Sequence, residues 1–249
     1  MKLTKFHKRF SIEEDKESKK GEMKSFAGIH PKENKIPSQT FYKFRDHVRN
    51  KQQQSCTQKP DLSTIREVSR IRDHIYGNPE AELSIVEYLD FECLYCKDFN
   101  PVPKQLVHLF GGSLNWVCRH YPAIYKNPGA LIKAEASECA NKLGGNDAFW
   151  KYAELIFSYH LESGMIIPRN RLIPLAEKIG LSGHRFKHML TSGRFQFRVL
   201  EDLMEGTDIG ICQTPSSFIM NNRTGEFILD LGALSLGDLM YDIGVLETN

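Results

Sequence analysis

Residues 83–96 read LSIVEYLDFECLYC, and the predicted fold follows from these fourteen residues. Its first seven residues form a nearly continuous run of β-branched, aliphatic and aromatic side chains, which is typical of a strand buried on both faces of a sheet. Cys93 and Cys96 follow immediately, and the residues after them have a helical pattern in which Pro101 and Pro103 predict a kink. The stretch therefore predicts a cysteine pair at the junction of a central strand and a helix.

The segments further along the chain complete an α/β pattern. Residues 114–118 form the next predicted strand, and because no hairpin fits between the two strands, they are predicted to run parallel in a βαβ unit. Residues 127–207 have apolar residues at helical spacing and no strong strand signal. Residues 217–220 and 226–229 are predicted to form a hairpin, and residues 235–246 a final helix. The order is βαβ, a helical block, then ββα.

Charge divides the chain into two parts. Residues 1–60 hold 15 Lys or Arg against 7 Asp or Glu, whereas residues 61–249 hold 18 against 24. The first part is polar and aperiodic, so we expect a basic, disordered leader. It is either a solvated tail or an electrostatic handle for nucleic acid, a membrane surface or an acidic partner. Residues 61–249 are expected to form the folded domain.

The distribution of apolar residues indicates in which cellular compartment the protein is expected. No run approaches the roughly 18 apolar residues of a membrane span, so we expect no transmembrane segment. The first thirty residues lack the apolar core of a signal peptide. As it stands, the sequence predicts a cytoplasmic protein, in a compartment that keeps thiols reduced. The alternative, if the start or the signal is misread, is a periplasmic or exported protein.

The chemistry of Cys93 and Cys96 follows from their position before a helix. Free N–H groups and the helix dipole stabilise a thiolate there, and only the thiolate attacks a disulfide. A zinc site would need about four ligands, whereas Cys118, Cys139 and Cys212 are scattered along the chain. We therefore prefer a redox pair over a metal site, a structural disulfide or inert thiols. No metal and no other cofactor is expected.

Four segments occur in a characteristic order: Glu87-Tyr88-Leu89-Asp90-Phe91-Glu92-Cys93-Leu94-Tyr95-Cys96, Arg119-His120-Tyr121-Pro122, Phe149-Trp150 and Thr214-Pro215. Together they resemble the DsbA-like branch of the thioredoxin superfamily, over about residues 73–248. The resemblance implies a thioredoxin fold, βαβ…ββα, with an all-helical subdomain inserted at about residues 123–208. It also implies a thiol-disulfide oxidoreductase that acts on protein or peptide substrates and exchanges electrons with a partner thiol system.

The resemblance implies roles for the matched residues. Cys93 is the nucleophile and Cys96 the resolving thiol. Pro215 is a cis-proline that faces the pair, although most X–Pro bonds are trans, and Thr214 offers its backbone to an extended substrate strand. Glu87 is either a strand acid that reaches solvent or a lysine, or a buried acid with a raised pKa that moves protons for Cys96. Its position favours the second interpretation.

The residues between the cysteines depart from the pattern of many oxidising relatives, which carry Pro and His there. Leu94 and Tyr95 either contact the substrate or pack over the site. Without a His the Cys93 thiolate loses a cationic donor, so we expect an intermediate reduction potential. It should lie toward the reducing end of the range from about −120 mV for DsbA to about −270 mV for thioredoxin. The alternative to an enzyme is a catalytically weak peptide-binding module docked by its basic leader.

Overall fold

A computed structural model describes residues 38–55, 65–127 and 129–247. Its helices are α1 (Ser38–Ser55), α2 (Leu94–Phe99), α3 (Pro101–Leu109), α4 (Gly129–Ser163), α5 (Leu172–Lys178), α6 (Gly183–Ser192), α7 (Gln196–Asp208) and α8 (Leu236–Glu247). Its strands are β1 (His74–Gly77), β2 (Leu83–Leu89), β3 (Leu114–His120), β4 (Ser216–Asn221) and β5 (Phe227–Leu231). In these ranges no helix combines the length and apolar character that crossing a bilayer requires.

The strands form one mixed sheet in the order β1-β3-β2-β4-β5. Strand β2 pairs in parallel with β3 and antiparallel with β4, and all seven of its residues are buried. Strand β5 completes the hairpin with β4, and β1 adds an antiparallel edge to β3. The predicted central strand, the βαβ unit and the hairpin are confirmed, whereas the short strand β1 was not predicted.

Helices α4 to α7 lie between β3 and β4 in the chain. This is the position that the prediction of an α/β fold with a helical insertion gives them. Helix α4 bends at Gly145, whose positive φ of 76° is accessible to glycine at little cost. Helices α4, α5 and α6 contact one another, while α7 packs against β3 and α4 against β1. The bounds of the insertion, about residues 123–208, remain a prediction.

Helix α1 differs from the expectation of a disordered leader. Phe44 and Val48 lie one helical turn apart, are buried and join the core, and α1 contacts α7. Lys51 also donates to the Asp208 carboxylate at 2.5 Å. Two apolar residues do not form a periodic pattern long enough to predict a helix. The helix depends instead on its packing against α7, which lies far along the chain. Residues 1–37 and 56–64, the rest of the expected leader and its end, lie outside the described residues.

A buried ionic network joins three parts of the fold. Arg119 of β3 is fully buried and donates to Asp73, before β1, at 3.2 Å and to Glu205 of α7 at 3.0 Å. Arg66 binds the same two carboxylates at 2.9 and 2.8 Å. Burial opposes ionisation of Asp73, but the two guanidinium groups hold its pKa below the usual value. Buried charges of this kind are tolerated because each one has partners.

The docking of α1 is testable with one core residue. We expect Val48→Ala to lower the free energy of unfolding of the full chain by about 1–2 kcal/mol, because two buried methyl groups are lost. The exposed neighbour Arg49 supplies the matched control, Arg49→Ala, which should have almost no effect. Urea denaturation measures both. Equal midpoints for Val48→Ala and the control would contradict docking of α1 on the domain.

Candidate active site

The cysteine pair lies at the carboxyl end of β2. Cys93 has extended backbone angles and directly precedes α2, and its side chain is half-buried, whereas Cys96 in the first turn is buried. Both thiols are free. Leu94 and Tyr95 between them are exposed, by 54% and 70%. Helix α2 ends at Phe99 and α3 begins two residues later, which agrees with the predicted kink. The site therefore combines an accessible thiol, a buried thiol and an apolar surface.

The two thiols differ in acidity. The hydrogen bond from the Cys96 thiol lowers the pKa of Cys93 to about 6; burial opposes this effect, and the Thr214 side chain and the backbone N–H groups of Cys96 and Tyr95 add to it. Burial raises the pKa of Cys96, and the charges of Cys93 and Glu87 raise it further. At neutral pH Cys93 is the thiolate and Cys96 keeps its proton.

The loop before β4 faces the pair. The Thr214–Pro215 peptide bond is cis, as predicted. The Cys93 thiol donates to the Thr214 carbonyl oxygen at 3.2 Å, so this loop lies in direct contact with Cys93. Pro215 is buried and Thr214 is half-buried. The structure thus brings these two residues together with Cys93, although more than one hundred positions separate them in the chain.

Glu87 lies within β2 and is 1% exposed, which excludes the interpretation as a strand acid that reaches solvent. The Trp116 indole N–H donates to its carboxylate at 2.9 Å. Burial raises the pKa of Glu87 to about 8; the Trp116 hydrogen bond opposes the rise, and the charge of Cys93 adds to it. Glu87 is therefore a buried acid coupled electrically to both Cys93 and Cys96.

Two acidic residues next to Cys93 were missed as site residues. The buried Asp90 accepts the backbone N–H groups of Glu92 and Ala123, each at 2.9 Å, and burial raises its pKa to about 6. Glu92 is buried as well and binds Lys133 of α4. The quoted motif contains both acids, but no local signal indicates the partner on α4.

His74, His120 and Glu138 present three donor atoms within 4.8 Å of one another, the one such group found in the described part of the chain. Each imidazole Nε2 lies at hydrogen-bond distance from the same Glu138 oxygen, at 2.9 and 3.0 Å. The Arg198 Nε lies 3.8 Å from that oxygen and compensates its charge. A bound cation would face this guanidinium, so we interpret the group as a hydrogen-bonded network, separate from the cysteine pair.

The acidity of Glu87 has a consequence for stability. Because its pKa rises from 4.5 to about 8 on folding, the folded chain keeps a proton that the unfolded chain has lost in this range. Glu87 should therefore give the free energy of unfolding of the reduced protein a negative slope with pH between about 4.5 and about 8, which the lowered pKa of Cys93 offsets above about pH 6. Glu87→Gln should remove this slope and stabilise the reduced protein by about 1–3 kcal/mol at neutral pH.

Denaturation at several pH values measures this effect. Glu162→Gln, on an exposed position of α4, is the control and should keep the parent slope. A parent-like slope in Glu87→Gln would show that another group carries the pH dependence.

Comparison with known proteins covers most of the domain. A family model described as thioredoxin matches residues 69–228. Two relatives are the Na(+)/H(+) antiporter NhaA 1 of Salinispora arenicola, 34% identical over 164 residues, and NhaA of Herminiimonas arsenicoxydans, 35% identical over 151 residues. The matches cover 66% and 61% of this chain but only 24% and 23% of those proteins. The chain thus spans about a quarter of the length of these relatives.

Solved structures agree with this assignment. DsbA2 of Pseudomonas aeruginosa superposes with a TM-score of 0.62 and 26% identity, covering 73% of this chain and 97% of that protein. Oxidised BdbD from Bacillus subtilis superposes with a TM-score of 0.60 at 19% identity, covering 77% and 98%, and supports the fold. The predicted thioredoxin fold with its helical insertion is confirmed. The chain belongs to the thioredoxin family, in which it is a DsbA-like thiol-disulfide oxidoreductase.

Proposed function

We propose that the chain exchanges disulfides with protein or peptide substrates through Cys93 and Cys96, as a reductase or isomerase rather than as a strong oxidase. The observation that carries the proposal is the difference between the two thiols. Cys93 is half-buried with a pKa lowered to about 6, while Cys96 is buried with a raised pKa. Disulfide exchange needs such a pair, in which one thiolate attacks and a second thiol waits.

In the reducing direction, the Cys93 thiolate attacks a substrate disulfide. The bond from Cys93 to one substrate sulfur forms as the substrate S–S bond breaks, and the departing thiolate takes a proton from water. Once the mixed disulfide has formed, Glu87 releases its proton to water; Cys96 then passes its own proton to the Glu87 carboxylate and attacks the Cys93 sulfur, and the bond from Cys93 to the substrate breaks to release the second substrate thiolate. The substrate gains two electrons, and the pair becomes a disulfide that a partner thiol system reduces again.

Glu87 suits this order of reaction steps because its pKa depends on the charge of Cys93. The negative charge of the thiolate contributes to the raised pKa of Glu87. Formation of the mixed disulfide removes that charge, so Glu87 loses its proton more readily at the step in which Cys96 needs a base. In the opposite direction, protonated Glu87 supplies the proton to Cys96 as it leaves.

The acidity of Cys93 also supports the reducing bias. Its pKa of about 6 lies between the values of about 7 in thioredoxin and about 3.5 in DsbA, nearer to thioredoxin. A less stabilised thiolate gives a less oxidising disulfide. Leu94 and Tyr95 supply no cation that would stabilise the thiolate further. A reducing direction fits a cytoplasmic protein, and an oxidising one would fit the periplasmic or exported alternative.

The surroundings of Cys93 favour an extended polypeptide as substrate. Exposed Leu94 and Tyr95 offer apolar contacts beside the nucleophile, and the Thr214 carbonyl offers a hydrogen-bond acceptor for a substrate strand. The transport activity named for the antiporter relatives is not part of this proposal, because the match covers a quarter of their length.

The reduction potential tests the proposed direction. We expect a cooperative two-electron transition at about −200 to −270 mV in graded glutathione or dithiol buffers, followed by alkylation and mass spectrometry. Cys93→Ser should reduce exchange with a model disulfide to the rate without protein. A value near −120 mV would contradict the reducing bias. Parent-like peptide affinity in a Cys93→Ser, Cys96→Ser variant, with no turnover by the parent, would favour the peptide-binding module instead.

Tyr95 tests the physical reason for the bias. Tyr95→His places a cationic donor beside the thiolate, so we expect a lower Cys93 pKa and a potential that is higher by at least about 30 mV, a tenfold change in the equilibrium constant. Tyr95→Phe keeps the ring without the charge and is the matched control. Equal potentials in the two variants would show that this position does not set the direction of exchange.

A further inference from the structure

The residue that directly precedes the nucleophile in the chain forms a buried ion pair. Glu92, the residue before Cys93, is 9% exposed, and its two carboxylate oxygens bind the Lys133 ammonium and the Asn127 side-chain amide. Lys133 is itself only 5% exposed. Asn127 precedes α4 and Lys133 lies near its start, so both partners belong to the beginning of the helical insertion. The insertion therefore holds the loop that carries Cys93.

The packing around this pair is close. A Cβ atom added to Gly129 would lie 3.0 Å from the Glu92 carboxylate and 3.3 Å from the Lys133 ammonium. Asn127 also accepts the Gly129 backbone N–H at 2.9 Å. Glu92 thus depends on Lys133 for its counter-charge, because a buried carboxylate without a partner is costly.

Several acidic groups meet at this place. The charges of Glu92 and of Cys93 both contribute to the raised pKa of Asp90, after burial. Glu87 and Cys93 are coupled in the same way. An uncompensated carboxylate at position 92 would add to this negative field and disfavour a thiolate at Cys93.

The other nearby basic side chains, His160 and Lys97, do not supply the counter-charge of Glu92. Burial, followed by the charges of Lys133 and Lys97, lowers the pKa of His160 of α4, so this imidazole is neutral at neutral pH. Lys97 of α2 pairs with Asp98 at 3.1 Å. Lys133 is thus the cation that binds the Glu92 carboxylate within the described part of the chain.

We propose that Lys133 is a positioning residue of the redox site, which neutralises and holds Glu92 so that Cys93 can carry negative charge beside it. The proposal rests on the proposed disulfide exchange at Cys93. It gives the helical insertion an electrostatic part in the reaction, in addition to its place in the fold.

A three-variant cycle in the full chain tests the proposal: Lys133→Met, Glu92→Gln and both together. The readout is the rate of Cys93 alkylation against pH, followed by mass spectrometry, with the reduction potential as a second measurement. Lys133→Met should raise the protonation constant of the Cys93 thiolate by about three- to tenfold, because the Glu92 charge is no longer compensated. Glu92→Gln should lower it, and the double variant should return to the parent profile.

Lys151→Met is the matched control. This lysine lies on the same helix, is exposed and pairs with Asp147 at 2.7 Å, and its loss should not move the profile. An unmoved profile in Lys133→Met overturns the proposal. So does a double variant that shifts as far as Lys133→Met, because Lys133 would then act through a group other than Glu92.

A variant that does not fold and a parent that is inactive can both be distinguished from a failure of the proposed role of Lys133. If Lys133→Met does not fold, Glu92→Gln decides: a lower protonation constant supports the proposal, and an unchanged one overturns it. Exchange with a model disulfide is measured on the parent in parallel. An inactive parent defeats the proposed function, whereas an active parent with an unmoved profile in the variants defeats only the role of Lys133.

Discussion

Strand β2 is hydrogen-bonded along both edges, to β3 and β4, and every one of its residues is buried. An acid within this strand has no route to water, so Glu87 takes up a proton and an indole hydrogen bond instead. The chain leaves the sheet at the end of the strand, which places Cys93 there. Because β4 runs antiparallel to β2, its beginning lies beside that end, and Thr214 meets Cys93. One enclosed strand thus determines where the reactive groups lie.

The parts of the fold that could be predicted carry their own local signal. The strand β2 and the hairpin of β4 and β5 could be predicted because strands that are buried in a sheet require apolar residues close together in the sequence. Strand β1 has only four residues and is a strand because its backbone pairs with β3, which is far along the chain. Helix α1 depends in the same way on its contact with α7. Pairing of this kind leaves no local pattern to read.

The residues of the candidate site also divide into those that a local sequence pattern predicts and those that only the tertiary structure brings together. Cys93, Cys96 and Glu87 occupy one short stretch, so their spacing and their places on the strand and at its junction with the following helix were predictable. The cis bond before Pro215 was predictable only through the resemblance, since spacing alone favours the trans form. The partner of Glu92 on α4 was not predictable, and neither was the network around Arg119. Partners of buried charges are chosen by the tertiary structure, which brings together residues from separate elements.

The contact between Cys93 and Thr214 has a consequence for timing. In the protonated thiol, the S–H group occupies the Thr214 carbonyl oxygen at 3.2 Å. The thiolate has no proton to donate, so deprotonation of Cys93 leaves that carbonyl oxygen free to accept a hydrogen bond from another group. In the proposed function, one proton on Cys93 thus blocks both the carbonyl oxygen that would receive a substrate strand and the attack on the substrate. Loss of that proton frees both groups together, so in the proposed function substrate binding and reactivity would begin with the same deprotonation.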